Sequence, residues 1–311
     1  MHAYLIIAHN EFEILKLLVA SLDDARNDIY IHFDAKCEEL PLLECVESKL
    51  YIIKDRIDVR WGDFGIVEAE ISLFEYAHGM QKETGVTYQY YHLISGVDIP
   101  LKSQDYIHDF FNRNYAKEFM GFYQGNIEVE LRKKVQMYHL FPKQFSKEFK
   151  LNLQSILRAL FCRIQTLVGI RRNNDIYLMR GTQWTSVTNG FVEYLLSKKD
   201  EIRQRFHHTF CADEVYKHTL CWNSPFKEQL YNPHNEALGC MREINWVITE
   251  DESFLPSFTM ADYKRLKESP MLFARKFDTK HIDIVKRILS ELCLNYKEVQ
   301  VFNFPIDIGE L

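Results

Sequence analysis

Residues 3–34 read AYLIIAHNEFEILKLLVASLDDARNDIYIHFD, and the hydrophobic period along them changes twice. The runs at 3–8 and 28–34 are aliphatic, β-branched and aromatic, the composition of strands. Between them Phe12, Ile14, Leu15, Leu18 and Val19 follow the 3.6-residue period, which predicts a helix over 11–22 with Asn10 as its N-cap. Strand, helix, strand in that order is a βαβ unit, and it calls for two parallel strands joined by a crossover helix.

The same alternation continues outward. Strands are expected over 49–53 and 89–95, with a helix over 65–81 whose Ile66, Val67, Ala69, Ile71, Leu73, Phe74 and Ala77 supply the apolar face and Asp63 the cap. Beyond residue 115 the regularity weakens. Short strands are expected over 176–179 and 184–187, flanking a turn at Arg180-Gly181, and helices over 190–206, 212–220, 261–267 and 281–294. The fold class is therefore α/β, a single Rossmann-like mixed sheet flanked by helices. With no repeat, low-complexity linker or Pro/Gly hinge, one domain over 1–311 is expected.

The 311 residues are 47% hydrophobic and 26% charged, which excludes a disordered chain. Thirty-eight Lys and Arg against 44 Asp and Glu give a formal charge of -6, so no global cationic field exists to hold nucleic acid. The first residues carry no cationic leader, and their apolar run breaks at His9 and Asn10, too short for a signal peptide or a membrane span. Seven cysteines without a CxxC pair fit a reducing, cytoplasmic setting. One segment departs from the average: residues 143–172 hold seven basic residues against Glu148 alone, with Leu151, Leu153, Ile156, Leu157, Leu160, Phe161, Ile164, Leu167 and Val168 at helical spacing. The ordinary reading is a buried helix face with a solvated basic side. The alternative is a helix resting on an anionic membrane, on its cytoplasmic face.

Several familiar motifs are missing. There is no GxGxxG, no Walker loop and no GxSxG elbow. His207, His208, Cys211, His218 and Cys221 cluster in sequence but match no four-ligand zinc spacing, so no metal is expected there. No Asp-x-Asp triplet occurs either, the arrangement that holds a divalent ion against a nucleotide-sugar diphosphate. A chain binding such a donor would have to neutralise the leaving group with Lys and Arg.

Patterns in fixed order along residues 1 to 280 resemble the core-2/I-branching β-1,6-N-acetylglucosaminyltransferase family, glycosyltransferase family 14, which also includes peptide xylosyltransferases. They begin with Tyr4-Leu5-Ile6-Ile7-Ala8-His9-Asn10, Ile31-His32-Phe33-Asp34-Ala35-Lys36 and Arg60-Trp61-Gly62-Asp63-Phe64. Ser95-Gly96-Val97-Asp98-Ile99-Pro100-Leu101 resembles the family's Ser-Gly-x-Asp-x-Pro-Leu stretch, and Gly181-Thr182-Gln183-Trp184 its Gly-Ser-x-Trp segment. Ala212-Asp213-Glu214 resembles the Pro-Asp-Glu segment that bears the base. Arg242 before Ile244-Asn245-Trp246, then Phe273-Ala274-Arg275-Lys276-Phe277, match the closing basic motifs.

The resemblance implies a GT-A type fold, a nucleotide-sugar donor and inverting, metal-independent transfer to a glycan or lipid-linked glycan, with no cofactor. Residues 1–115 would be the nucleotide-binding half and 116–311 the acceptor-binding and catalytic half. On this reading Glu214 is the general base, and Arg242 and Lys276 stabilise the departing UDP, with Arg275 as a competitor since neighbours on a strand face opposite ways. His9, Asp34, Ser95, Gly96 and Asp98 lie toward the nucleotide sugar; Trp61, Trp184 and Asp213 lie toward the acceptor. The donor expected first is UDP-N-acetylglucosamine, then UDP-xylose or UDP-glucose. Animal members carry an amino-terminal anchor and paired cysteines, so this chain reads as a soluble, bacterial-type member.

Each residue also has a plainer reading. Glu214 would be an exposed first-turn carboxylate, Arg275 and Lys276 would pair at the surface with Asp278 or Glu268, Asp34 would form a turn, and Asp98 would cap the helix after Pro100. Trp61 and Trp184 would pack in the core. Two other functional classes stay open: a carbohydrate- or nucleotide-binding protein without turnover, and a glycoside hydrolase using a carboxylate pair.

Overall fold

The computed structural model describes residues 1–140, 153–248 and 253–294. In chain order its elements begin with β1 (His2–Ala8), α1 (Phe12–Leu22), β2 (Asn27–Phe33), β3 (Lys49–Ile52), α2 (Gly65–Thr84), β4 (Tyr90–Ser95), β5 (Asp98–Pro100) and α3 (Gln104–Arg113). They continue with α4 (Glu128–Lys134), α5 (Leu153–Leu167), β6 (Ser186–Thr188), α6 (Asn189–Ser197), α7 (Lys199–Phe206), α8 (Tyr216–Trp222) and α9 (Glu236–Cys240). The last are β7 (Arg242–Ile244), β8 (Val247–Ile248), β9 (Ser253–Phe254), α10 (Tyr263–Glu268), β10 (Phe273–Arg275) and α11 (Ile282–Leu294).

Strand β1 is buried along its whole length because it lies inside a five-stranded sheet of order β3-β2-β1-β4-β6. β1 runs parallel to β2 and β4, while β6 is antiparallel to β4, so the sheet is mixed. The two-residue side-chain period assigns its faces: Ala3, Leu5 and Ile7 pack with Val67, Phe74 and Ala77 of α2, whereas Tyr4, Ile6 and Ala8 pack with Leu15, Leu18 and Val19 of α1. The α/β class, with a mixed sheet between helices, is the one the sequence predicted. Strand order reverses between β1 and β4, and in such sheets ligands collect in the crevice beyond the carboxyl ends of those strands.

A second sheet, β5-β10-β7, sits beside that crevice. The sequence did not reveal β5, because three residues are too few to show a period. Its antiparallel register with β10 sets Asp98 opposite Arg275, and the parallel register of β10 with β7 sets Phe273 opposite Arg242.

Some expectations change. Residues 176–179 form no strand, and the helix expected over 190–206 breaks at Lys198 into α6 and α7. The helix expected over 212–220 opens as a separate 3-10 turn, Ala212–Glu214, before α8. Glu11 rather than Asn10 precedes α1, and α2 starts after Phe64, with Asp63 Oδ1 accepting from Gly65 N at 2.9 Å. Asp98 caps no helix: Ser103 caps α3 by accepting from Tyr106 N. The apolar stripe of α5 is not a buried face, since Leu153, Leu160 and Leu167 are exposed and Gln165 is the buried position. Residues 143–152 of that segment lie outside the described residues. Among the described residues no helix is long and apolar enough to cross a membrane.

Candidate active site

At the mouth of the crevice the strand ends are fixed by main-chain bonds: Asp34 N donates to Ala8 O at 3.0 Å and Gly96 N to Ile7 O at 2.9 Å. A Cβ on Gly96 would stand 3.1 Å from Ala8 Cβ, which accounts for a residue without a side chain at this close approach. His9 is exposed just past β1, and its carbonyl accepts from Cys37 Sγ at 3.4 Å. Asp34 is nearly buried, and both of its oxygens are engaged by Lys36, one by the backbone N at 2.9 Å and one by Nζ at 2.7 Å, the turn of its plainer reading.

The small sheet gathers cations. The Arg275 guanidinium lies 4.3 Å above the Trp184 ring, with Nε 3.5 Å from Asp98 Oδ1, a charge contact without a hydrogen bond. Ser95 donates to the same Asp98 oxygen. Burial pushes the Asp98 carboxyl up and the Arg275 guanidinium down, and each opposes the other's shift by its charge. Arg275 is thus no surface partner of Asp278 or Glu268, because the register of β5 with β10 turns it onto Asp98. Trp184 is buried beneath it, as its plainer reading had it.

Arg242 is fully buried. Its Nη1 donates to Cys240 O at 2.5 Å and its Nη2 to Thr185 O at 3.1 Å and Ser186 Oγ at 2.9 Å, while its guanidinium lies 4.7 Å from the centre of the Phe273 ring. Three buried atoms of this cluster, Asp98 Oδ2, Arg242 Nε and Arg275 Nε, have no hydrogen-bond partner. Buried polar atoms are almost always paired, so three in one cluster set it apart from ordinary core. Lys276 is half-buried just past β10.

The second cluster surrounds the turn at Ala212–Glu214. Glu214 is not the exposed carboxylate of its plainer reading: Arg180 Nε holds its Oε2 at 2.9 Å and Lys134 Nζ approaches at 3.7 Å. Glu130 accepts from Arg180 Nη1 at 2.7 Å and from Lys134 at 2.5 Å, closing a four-residue network. Half-buried Asp213 faces Glu214, Glu70 and Lys217; desolvation first, then the two carboxylates, push it up to about 7. Glu70 is wholly buried on α2 and accepts from Lys217, from Tyr216 OH at 2.5 Å and from Gln183 Nε2 at 2.8 Å. Trp61 is 44% exposed beside this cluster, meeting Phe210 edge to face at 5.2 Å, so the core position of its plainer reading is not the one it takes.

One stretch of chain, 181–186, touches both clusters. Gly181 N donates to Glu214 O at 2.9 Å, Gln183 reaches Glu70, Trp184 lies under Arg275, and Thr185 and Ser186 receive Arg242. Gly181 is required at its position, since a Cβ there would stand 1.8 Å from Gly121 O. The histidines and cysteines considered for zinc are dispersed: His218 Nε2 bonds Gly121 O at 3.0 Å and Cys221 is buried in the core. Among the described residues no three His, Cys, Asp or Glu gather as metal ligands.

Sequence reading missed Glu130, Lys134, Lys217 and Glu70, and gave Arg180 no partner. Glu70 had a signal, an acidic residue between Val67 and Phe74 on the apolar face of a predicted helix. The others had none, because each acquires its meaning from a residue distant in the chain.

Comparison with known proteins bears on this arrangement. The sequence pattern described as Core-2/I-Branching enzyme matches residues 2–283, nearly the whole described chain. The chain belongs to the Core-2/I-branching enzyme family. The ordered motifs quoted from the sequence all fall within that match. This Core-2/I-branching enzyme is 23% identical over 299 residues to xylosyltransferase 2 of Rattus norvegicus, and equally to that of Mus musculus. The match covers 89% of this chain but 32% of either relative, so the enzyme spans about a third of their length. Among solved structures, mouse xyloside xylosyltransferase 1 in its apo form aligns with 90% of this chain and 99% of its own at 11% identity and a TM-score of 0.38.

Proposed function

We propose that this enzyme transfers a sugar from a UDP-sugar to a hydroxyl of a glycan or lipid-linked glycan, with inversion at the anomeric carbon and without a divalent metal. Glu214 is the general base. It takes the acceptor proton as the acceptor oxygen attacks C1, the bond from C1 to the phosphate oxygen breaks, and UDP leaves with the electron pair. Arg275 and Lys276 receive the new negative charge, with Arg242 behind them as a fixed positive charge in a dry, preorganised setting. Asp98 orients Arg275, and the Trp184 ring supports the Arg275 guanidinium from beneath. N-acetylglucosamine is the first candidate sugar. Xylose stands beside it because the relatives are xylosyltransferases, and glucose follows.

The observation that carries this reading is the stretch 181–186, which anchors a carboxylate cluster and a cation cluster holding three unpaired buried polar atoms. Inverting transfer needs these two groups, a base on one side of the sugar and positive charge on the other. Calorimetric titration with UDP, GDP, CMP and UDP-sugars, first with EDTA and then with Mn²⁺, tests it. UDP or UDP-sugar binding that ignores EDTA is expected. Binding that appears only with Mn²⁺, or selective binding of another nucleotide, would assign the cation cluster elsewhere.

A further inference from the structure

Helix α5 (Leu153–Leu167) is built inside out. Its buried position is Gln165, 1% exposed, whose side chain accepts from Tyr138 N at 2.8 Å and donates to Tyr138 O at 2.9 Å. Arg158 on the same side donates to Leu140 O at 3.2 Å. The opposite face carries Leu153, Ile156, Leu157, Leu160, Ile164 and Leu167, all exposed; Leu160 is 52% and Leu167 85% accessible. This stripe runs the length of a 15-residue helix, about 22 Å at the usual rise, and Val168 prolongs it. A continuous aliphatic strip of this size on a water-facing surface marks a contact face.

Charge selects the occupant. Residues 149–174 contain Lys150, Arg158, Arg163, Arg171 and Arg172 and no acidic residue, in a chain whose net charge is -6. Arg172 is turned inward, its guanidinium 4.6 Å from the centre of the Tyr138 ring, whereas Arg163 on α5 and Arg171, four residues past its end, are exposed. A second copy of the same helix would bring like charges together, and an aliphatic stripe offers no ring for a nucleobase to stack on. We propose that α5 seats the protein on an anionic lipid bilayer, lying in the plane of the interface with its stripe among the acyl chains and Arg163 and Arg171 at the headgroup phosphates. No donor-site residue takes part, so this contact stands apart from the reading of the reaction.

Sedimentation of the full chain with phosphatidylcholine vesicles, with and without phosphatidylglycerol, tests the inference at low and high salt. Binding is expected only to the anionic vesicles and is expected to weaken with salt. Leu160→Ser with Ile164→Ser should lower the affinity at least about tenfold, since two aliphatic side chains no longer leave water. Arg163→Glu with Arg171→Glu, at exposed positions that leave the fold intact, should abolish the preference for anionic lipid. Three outcomes overturn the inference: no binding to anionic vesicles, equal binding by both double variants, or a dimer in solution that the Leu160→Ser, Ile164→Ser variant dissociates. UDP titration of the same variants reads the donor site separately and should match the unmodified protein.

Discussion

Arg180 places its Nε 2.9 Å from Oε2 of Glu214, 34 residues further along the chain, and its Nη1 2.7 Å from Glu130. The proposed base therefore rests as an ion pair, with one oxygen held and the carboxylate oriented before any acceptor arrives. Asp213, next to it, faces Glu214 and Glu70 as well as Lys217, and burial with the two carboxylates outweighs the ammonium and raises it. The two acids thus sit in different electrostatic surroundings although they are neighbours in sequence.

Glu214→Gln keeps the shape and removes the proton acceptor. Turnover should fall by about 10²- to 10⁴-fold while UDP binding is unchanged, and Asp213→Asn should cost less. Initial rates with titrated UDP separate the two. If Asp213→Asn abolishes turnover and Glu214→Gln does not, the base is Asp213.

Asp98 is 0% exposed and Arg275 is the cation set opposite it. Arg275→Ala should destabilise by about 3–5 kcal/mol, because a buried carboxylate loses its countercharge. Adding Asp98→Asn should restore part of that loss. Denaturant titration of the single and double variants measures the coupling, and strictly additive losses would mean that the pair is not energetically linked.

Gly181→Ala and Gly79→Ala form a contrast. A Cβ at Gly181 meets Gly121 O at 1.8 Å and His218 Nε2 at 2.6 Å, whereas at Gly79, inside α2, it meets nothing within 4 Å. The first should destabilise by more than about 4 kcal/mol or prevent folding. The second should stabilise by about 0.5–1 kcal/mol through the better helix former. Thermal melts decide, and a tolerated Gly181→Ala would show that the stretch 181–186 is not rigidly seated.

His2, His92 and His108 share one buried cluster, with His92 Nε2 3.1 Å from His2 Nδ1 and the rings of His2 and His108 stacked at 4.1 Å. Burial first, and then neighbouring positive charge, holds His2 and His92 well below the ordinary range and His108 at about 4. A histidine whose folded pKa lies below its unfolded value takes up a proton on unfolding. Its contribution is complete above the unfolded value, near 6.5, and is lost as pH falls toward the folded one. Glu118 and Asp213, both raised to about 7, act in the opposite sense, favouring the fold at acid pH and less as pH rises to 7. Asp98 and Glu236 are raised as well, but His32, His139, His208 and His218 are lowered like the cluster, so the lowered histidines outnumber the raised carboxylates and the melting temperature should drop between pH 6.5 and 5. His108→Gln should flatten that drop by up to about 1.4 kcal/mol per pH unit. An equally steep profile in the variant would place the acid sensitivity outside the cluster.

Much of the fold was legible because its signals are local. The periods at 3–8, 11–22 and 28–34 became β1, α1 and β2 with boundary shifts of a residue, since a strand buried on both faces needs an unbroken apolar run and a helix on a sheet needs one apolar side. The proposed site residues could be picked out as motifs, but their surroundings could not. Arg242 reads as a diphosphate ligand until β7 packs beside β10 and its guanidinium is taken up by the carbonyls of Cys240 and Thr185.

The sequence by itself determined the strand and helix order of residues 1–95 and the family, because each depends on spacing along the chain. Only the tertiary structure decided which charges meet. Glu70 and Lys217 are 147 residues apart and wholly buried together, and Asp98 faces Arg275 through a strand too short to announce itself. It also decided which side of α5 faces water. Burial belongs to what packs against a side chain, and a periodic stripe records that one face differs from the other without recording which of them the rest of the molecule covers.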